Sequence, residues 1–330
     1  LYHLKKDSAD GRILMWKLTA TAILQHPLRG TGLGGFPAAY AETQAGYFAS
    51  GEKPAAEQRV AGCPEYAFNE YLQIGLEEGI PGICLFAGWM GCCFWSGLKR
   101  KQHAVCGGLI ALAVFAFSSY PLQLPSFWEV WIILSAYTPR PSSGKKKGDR
   151  RWIAVLWAMT AVSLVAAWEG KAIATDYRQW ATARMLYENR AYEMAIVSYR
   201  ALFPRLKHKP DFLFEGAQCL RKTGRPAEAI GWLQRAVRLS ADPMLYYVMA
   251  QNEQALGRYP EAERHLRYAI AILPDRIYPY YLLAKLYAEP AFFQPEKMQQ
   301  AARVVMWQKP KVENTAIREM REELNKMKKR

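Results

Sequence analysis

Residues 65–98 read EYAFNEYLQIGLEEGIPGICLFAGWMGCCFWSGL, and the change of character half-way along decides how the rest of the chain is arranged. At about 100° per residue, Asn69, Gln73, Glu77 and Glu70 gather within roughly a quarter turn, with Phe68, Leu72 and Leu76 beside them. The first half therefore predicts a helix with a polar stripe. From Ile80 to Leu98 there is no charged residue, and Lys99, Arg100 and Lys101 stop the run. An uncharged run of about 19 residues is the length of a membrane span. The stretch predicts a polar site at the mouth of a membrane helix.

Three more apolar runs follow, giving four expected spans at about 80–98, 104–120, 122–138 and 152–168. Between them lie two basic connectors, KRKQH (99–103) and TPRPSSGKKKGDRR (138–151). Both fall on one side of the membrane, and lysine and arginine mark the cytoplasmic side. Residues 1–79 and everything from 170 to 330 are then expected outside the cytoplasm.

Ahead of the first span, Ser8 and Asp10 offer an N-cap for a helix over 12–25. Its residues Ile13, Leu14, Met15, Trp16, Leu18, Ile23 and Leu24 suit an interfacial or core-packed helix. His26-Pro27 ends it, because a residue before proline avoids the helical region. The loop GTGLGG (30–35) comes next, and then a stretch to Pro64 that reads as polar and flexible.

Beyond residue 170 the period changes. GRPAEAI at 224–230 returns as GRYPEAE at 257–263; Leu233 pairs with Leu266 and Ala236 with Ala269, while Pro243 and Pro274 close the units. An earlier copy carries Tyr192, Ala195 and Tyr199, and a degenerate one runs through Tyr280–Tyr287. These copies resemble the tetratricopeptide repeat, whose stacked helix pairs share one core. A last helix over 315–328 puts Ile317, Met320, Leu324 and Met327 on one face. The expected fold is all-α: a polytopic membrane helix bundle followed by a repeat α-solenoid, in 330 residues.

Bulk properties narrow the function. The net charge is +15, but much of it borders apolar runs, which argues for membrane topology and against nucleic acid. Four of the six cysteines lie in apolar runs, and neither a disulfide framework nor a zinc spacing is present. The chain begins with Leu1 and reads as the C-terminal part of something longer.

Several side chains have the chemistry of a site. Arg12 and Arg29 are suited to phosphate or to snorkelling at the headgroup level. The 30–35 loop lacks the strand and spacing of a dinucleotide fingerprint; it is either a sharp turn or a nest whose Gly32 and Gly34 amides face an anion. Glu70 is a candidate general base, His26 a weaker one, and Glu129 an ionisable residue near the outer end of the third run.

Taken together, SADGRILMWKLTATAILQHPLRGTGLGGF (8–36), AFNEYLQIGLEEGIPG (67–82), the spans and the repeats resemble the O-antigen ligase family of bacterial inner membranes, which includes lipopolysaccharide ligases and has O-antigen polymerases and protein oligosaccharyltransferases as relatives. The match covers about residues 7–138. The resemblance implies a glycosyltransferase that needs neither metal nor cofactor. It would move a glycan from an undecaprenyl-diphosphate carrier to lipid A–core or a protein, with a further protein partner for the repeats. It also implies that Arg12 is a candidate for holding the diphosphate, and the residues' own chemistry adds Arg29, Gly32 and Gly34 to that expectation. Asn69 matches the asparagine of the family's His-Asn pair, but the histidine position is Phe68. Another group, Glu70 or His26, must then activate the acceptor; the rival is a membrane-anchored scaffold that does not catalyse.

Overall fold

The computed structural model describes residues 2–137, 170–311 and 313–328. Helices α1 (Tyr2–Gln25), α2 (Phe36–Ala49) and α3 (Ala55–Val60) precede α4 (Glu70–Lys99), α5 (His103–Ser118), a 3-10 turn (Pro121–Gln123) and α6 (Pro125–Tyr137). Helix α7 covers 170–188. Then come α8 (Tyr192–Leu206), α9 (Pro210–Lys222), α10 (Pro226–Ala236), α11 (Pro243–Ala255) and α12 (Tyr259–Ile272). Helices α13 (Tyr278–Tyr287), α14 (Pro295–Trp307) and α15 (Thr315–Lys328) complete the chain. No strand occurs among the described residues.

Helix α4 is broken where its sequence changes character. Asn69 caps its start, the side-chain oxygen accepting from the Leu72 amide at 3.1 Å. At Gly79 the backbone leaves the helix (φ 76°, ψ −175°), and Pro81 follows. The two halves fold towards each other: the rings of Tyr71 and Phe86 are 6.0 Å apart, whereas a straight helix would separate those residues by ~22 Å. The polar stripe faces inward, with Asn69, Glu70, Gln73 and Glu77 all buried. An open polar mouth is not what forms.

Of the four expected spans, α4 alone among the described residues is long and apolar enough to cross a membrane. Helix α5 has 16 residues, or ~24 Å against a hydrocarbon core of ~30 Å. Pro121 and Pro125 cut the next run, leaving 13 residues in α6. The fourth run, 152–168, lies outside the described residues. The described helices therefore do not by themselves make a polytopic bundle.

Helix α1 starts at Tyr2, well before the expected Ser8–Asp10 cap, and ends at Gln25 as His26-Pro27 requires. It packs Leu14, Met15, Leu18, Ala22 and Ile23 inward and leaves Ile13 and Leu24 exposed. The stretch expected to be flexible instead forms α2 and α3. Pro37 starts α2, which buries Phe36, Tyr40, Ala41, Thr43, Gln44 and Ala45. Lys17 of α1 donates to Tyr47 at 2.8 Å and pairs with Glu57 of α3 at 3.2 Å, and Tyr47 donates to Glu57 at 2.5 Å. Gln44 is wholly buried. Its amide donates to the Gly62 carbonyl at 3.0 Å and to the Ile272 carbonyl of α12 at 2.8 Å. Phe36, Tyr40 and Ala45 consequently share one core with Ala241, Ile272 and Leu273, so the N-terminal helices and the repeats are one packed body.

The repeats are tetratricopeptide-like helix pairs. Ala195, Ala229, Ala236, Ala262 and Ala269 are fully buried, as helices that cross closely require. Gly216 faces the Trp232 ring so closely that a Cβ there would lie 2.2 Å from it. Helix α15 forms as expected and seats Leu324, with Ile317, Met320 and Met327, on the last pair. Inside the first pairs, the buried Glu215 carboxylate accepts from Trp180 Nε1 (2.7 Å), Arg184 Nε (2.7 Å) and the Tyr199 hydroxyl (2.8 Å).

Removing that carboxylate strands two buried donors and a cation. Glu215→Ala should cost about 2–4 kcal/mol, read as a lower midpoint of thermal unfolding. Arg200→Ala, which breaks the largely exposed pair with Glu228, should cost less than ~1 kcal/mol. Equal losses would remove Glu215 as the organising group.

Candidate functional site

The N-terminal end of α4 meets α1 and the turn between α5 and α6. Arg12 projects from α1, exposed, with its guanidinium 5.2 Å from the centroid of the Phe68 ring and Nη1 donating to the Ser118 carbonyl at 3.4 Å. Phe68 has φ 50°, a left-handed conformation that is costly for a bulky side chain. Its neighbours hold it there. The Ala67 amide donates to Gln73 Oε1 at 2.8 Å and the Ala67 carbonyl accepts from Trp16 Nε1 at 2.9 Å. Phe68 packs edge-on against Tyr120 (5.0 Å), on which Tyr66 stacks (5.3 Å).

Glu70 lies beneath the same turn, 1% exposed. Its carboxylate accepts from the Leu122 amide at 2.6 Å. Burial raises its pKa to about 7, against opposing hydrogen bonds from Leu122 and Gln123. A carboxyl poised near neutrality is suited to general acid–base work. Asn69, next to it, is turned inward as the helix cap.

The other end of α4's first half belongs to the glycine loop. Gly79 and Pro81 deprive two carbonyls of their helical partners, and the loop supplies replacements. Thr31 N donates to Leu76 O and Gly32 N to Glu77 O, both at 2.9 Å, while Ile80 N turns to Pro27 O at 2.8 Å. The Glu77 carboxylate accepts from the Gln73 amide at 2.7 Å, from Phe36 N at 3.4 Å and from Gly34 N. Its pKa is raised by burial. The Gly32 amide is thus bonded to the Glu77 carbonyl and the Gly34 amide to the Glu77 carboxylate.

The candidate residues therefore fall into two groups. Arg12, Asn69 and Glu70 come together; His26, Arg29, Gly32 and Gly34 stand at the opposite end. Along α1, Arg12 and His26 are ~21 Å apart, too far to act on one hydroxyl. Arg29 and His26 are exposed on the loop, and Glu129 is exposed on α6. Sequence reasoning missed Tyr120, Leu122 and Gln123, whose only signal was the pair of prolines that fixes their turn. Gln73 is read on the polar stripe, but not as the link between Ala67 and Glu77.

Residues 3–87 match the family model described as O-antigen ligase, which takes in both groups but not the 118–123 turn. Residues 188–269 match the model described as anaphase-promoting complex, cyclosome, subunit 3. No curated protein matches the chain. Among solved structures, the Yersinia enterocolitica type III secretion chaperone SycD, in complex with a peptide of the translocator YopD, is 18% identical over 47% of this chain and 94% of its own, with a TM-score of 0.29. MamA is 19% identical over 44% and 90%, with a TM-score of 0.36. A Podospora anserina putative kinesin light chain with nearly identical TPR-like repeats is 18% identical over 46% and 86%, also at 0.36. Likenesses this distant carry no inference about ligands.

Two outcomes test the geometry. A Cβ at Gly79 would lie 2.8 Å from the Leu28 carbonyl at a positive φ, while one at Gly91 meets open space. Gly79→Ala should cost about 1–3 kcal/mol in detergent-solubilised protein, and Gly91→Ala close to nothing. The second concerns pH. The folded state keeps the Glu70 proton up to about 7, whereas an unfolded glutamate releases it near 4.5. Stability from this group is therefore full below pH 4.5 and is lost as pH rises through 7. Glu70→Gln should flatten the fall in thermal midpoint between those values; an unchanged slope would assign it to another group.

Proposed function

We propose, from the O-antigen ligase match over residues 3–87, that the chain is a membrane glycosyltransferase of that kind. It moves a glycan from an undecaprenyl-diphosphate carrier to an acceptor hydroxyl, on lipid A–core or protein, on the periplasmic face of the bacterial inner membrane. The observation that carries the reading is an exposed arginine held over the Phe68 ring, two residues from the buried Glu70 carboxylate, all within the matched segment. In the proposal, residues 1–79 and 170–330 lie outside the cytoplasm, the apolar runs within 80–169 cross the bilayer, and the repeats offer a surface for a protein partner.

The chemistry follows from the charges. The bond between the sugar's anomeric carbon and the diphosphate oxygen breaks, and its electron pair leaves with the diphosphate. A fixed guanidinium stabilises that growing charge, and Arg12 is placed for it. The acceptor atom forms the new bond to the anomeric carbon and gives its proton to Glu70, which stands in for the histidine replaced by Phe68. Asn69, as cap, fixes the orientation of Glu70. The donor's lipid keeps the reaction at the bilayer surface.

One observation favours a second reading, a non-catalytic scaffold. The Phe68 ring packs under Arg12 where a base would be expected, and the repeats are fused to the N-terminal helices through Gln44 and Ile272. A polymerase acting on a growing glycan differs from the first reading only in its acceptor.

In a deletion strain complemented with the full-length gene, Arg12→Ala should lower transfer by more than ~100-fold with insertion intact, seen as lost lipopolysaccharide ladders or glycoprotein signal and accumulated carrier-linked glycan. Wild-type display by the variant would remove Arg12 from the site. Normal glycan in the uncomplemented deletion strain, with no second ligase present, would favour the scaffold.

A further inference from the structure

We infer that the glycine loop over 26–35 is a wedge inserted into the phospholipid bilayer, with Leu28 and Leu33 in the acyl boundary and Arg29 on a lipid phosphate. The inference rests on the apolar half of α4 lying in the membrane and is independent of glycan transfer.

Three features point to lipid. First, the loop exposes large apolar side chains where a water-facing turn would carry polar ones. Leu28 is 73% and Leu33 83% exposed, and Leu24 at the adjoining end of α1 is 76% exposed. On α4 itself, Leu85 is 76% exposed, so the loop matches the surface of the helix it adjoins.

Second, the amides of all four loop glycines that follow Arg29 and of Thr31 are bonded within the protein. Gly30 N donates to His26 O and Gly35 N to Gly32 O at 3.0 Å; Thr31 N and Gly32 N donate to α4 at 2.9 Å. The Gly34 amide is bonded to the Glu77 carboxylate. Non-helical backbone enters an apolar layer only where its polar groups are satisfied within the protein, and α4 does this for Thr31, Gly32 and Gly34.

Third, level and charge agree. Ile80 N donates to Pro27 O at 2.8 Å, which fixes the loop beside the start of the apolar run. Arg29 is exposed there. A long arginine stem follows apolar surface while its guanidinium reaches a headgroup phosphate.

The test uses the full chain in nanodiscs of phosphatidylcholine and phosphatidylglycerol. A fluorescent amino acid is introduced singly at Leu28, Leu33, Leu85 or Glu52, the last lying on the exposed α2–α3 connection. Quenching by doxyl-labelled phosphatidylcholine should exceed quenching by aqueous iodide several-fold at 28, 33 and 85, with the order reversed at 52. Iodide dominating at 28 and 33 while 85 remains lipid-quenched would overturn the wedge. Iodide dominating at 85 as well would overturn it through its premise. Neither outcome depends on whether the chain transfers glycan.

Discussion

The break in α4 is the constraint on which the rest depends. In an uninterrupted helix Ile80 would donate to the Leu76 carbonyl and residue 81 to that of Glu77. Proline has no N–H to give, and Gly79 turns the chain away. Two buried carbonyls left unpaired would cost roughly 1–3 kcal/mol each. Thr31 and Gly32 remove that cost, so the loop completes the helix as much as any of its own residues does. Gly30 packs against the Glu77 carbonyl so closely that a Cβ would lie 2.3 Å from its oxygen. Glycine is required there by space as well as by φ.

Folding α4 on itself separates two tasks. The end bearing Glu70 is carried back to the α5–α6 turn, where Arg12 and the strained Phe68 meet it. The end bearing Glu77 stays with the glycine loop at the start of the apolar half. Gln73 links the two, bonded to Ala67 at one side and to Glu77 at the other. Helix α2 extends the link outward: its first residue donates to Glu77, and Gln44 donates to Ile272 among the repeats. The repeat solenoid is thereby fixed with respect to the candidate site, and anything it binds is held at a set distance from Arg12.

Much of this was legible in the residues. Alanines at GRPAEAI and GRYPEAE announced the repeat crossings, and His26-Pro27 announced the end of α1. The apolar run from Ile80 announced the helix that, among the described residues, is long and apolar enough to cross a membrane. What escaped were features made by tertiary contact. The 36–64 stretch reads as polar, but Gln44 becomes a core residue because the Gly62 and Ile272 carbonyls accept from its amide, and Thr43 because its hydroxyl donates to Ala39 in its own helix. The stripe Asn69, Glu70, Gln73 and Glu77 has the right period for one face, yet periodicity does not say whether that face meets water; here it meets backbone donors. Phe68 in a left-handed conformation gives no local signal at all, since two hydrogen bonds at Ala67 and the packing on Tyr120 impose it.

Amide hydrogen exchange of the full chain in nanodiscs, resolved to single residues over 26–36 and 76–82, tests the α4 break most directly. The account predicts that Thr31, Gly32 and Ile80 are protected to a similar degree and lose protection together in Gly79→Ala. Fast exchange at Thr31 and Gly32 alongside a protected α4 would contradict it, because the loop would then not complete the helix.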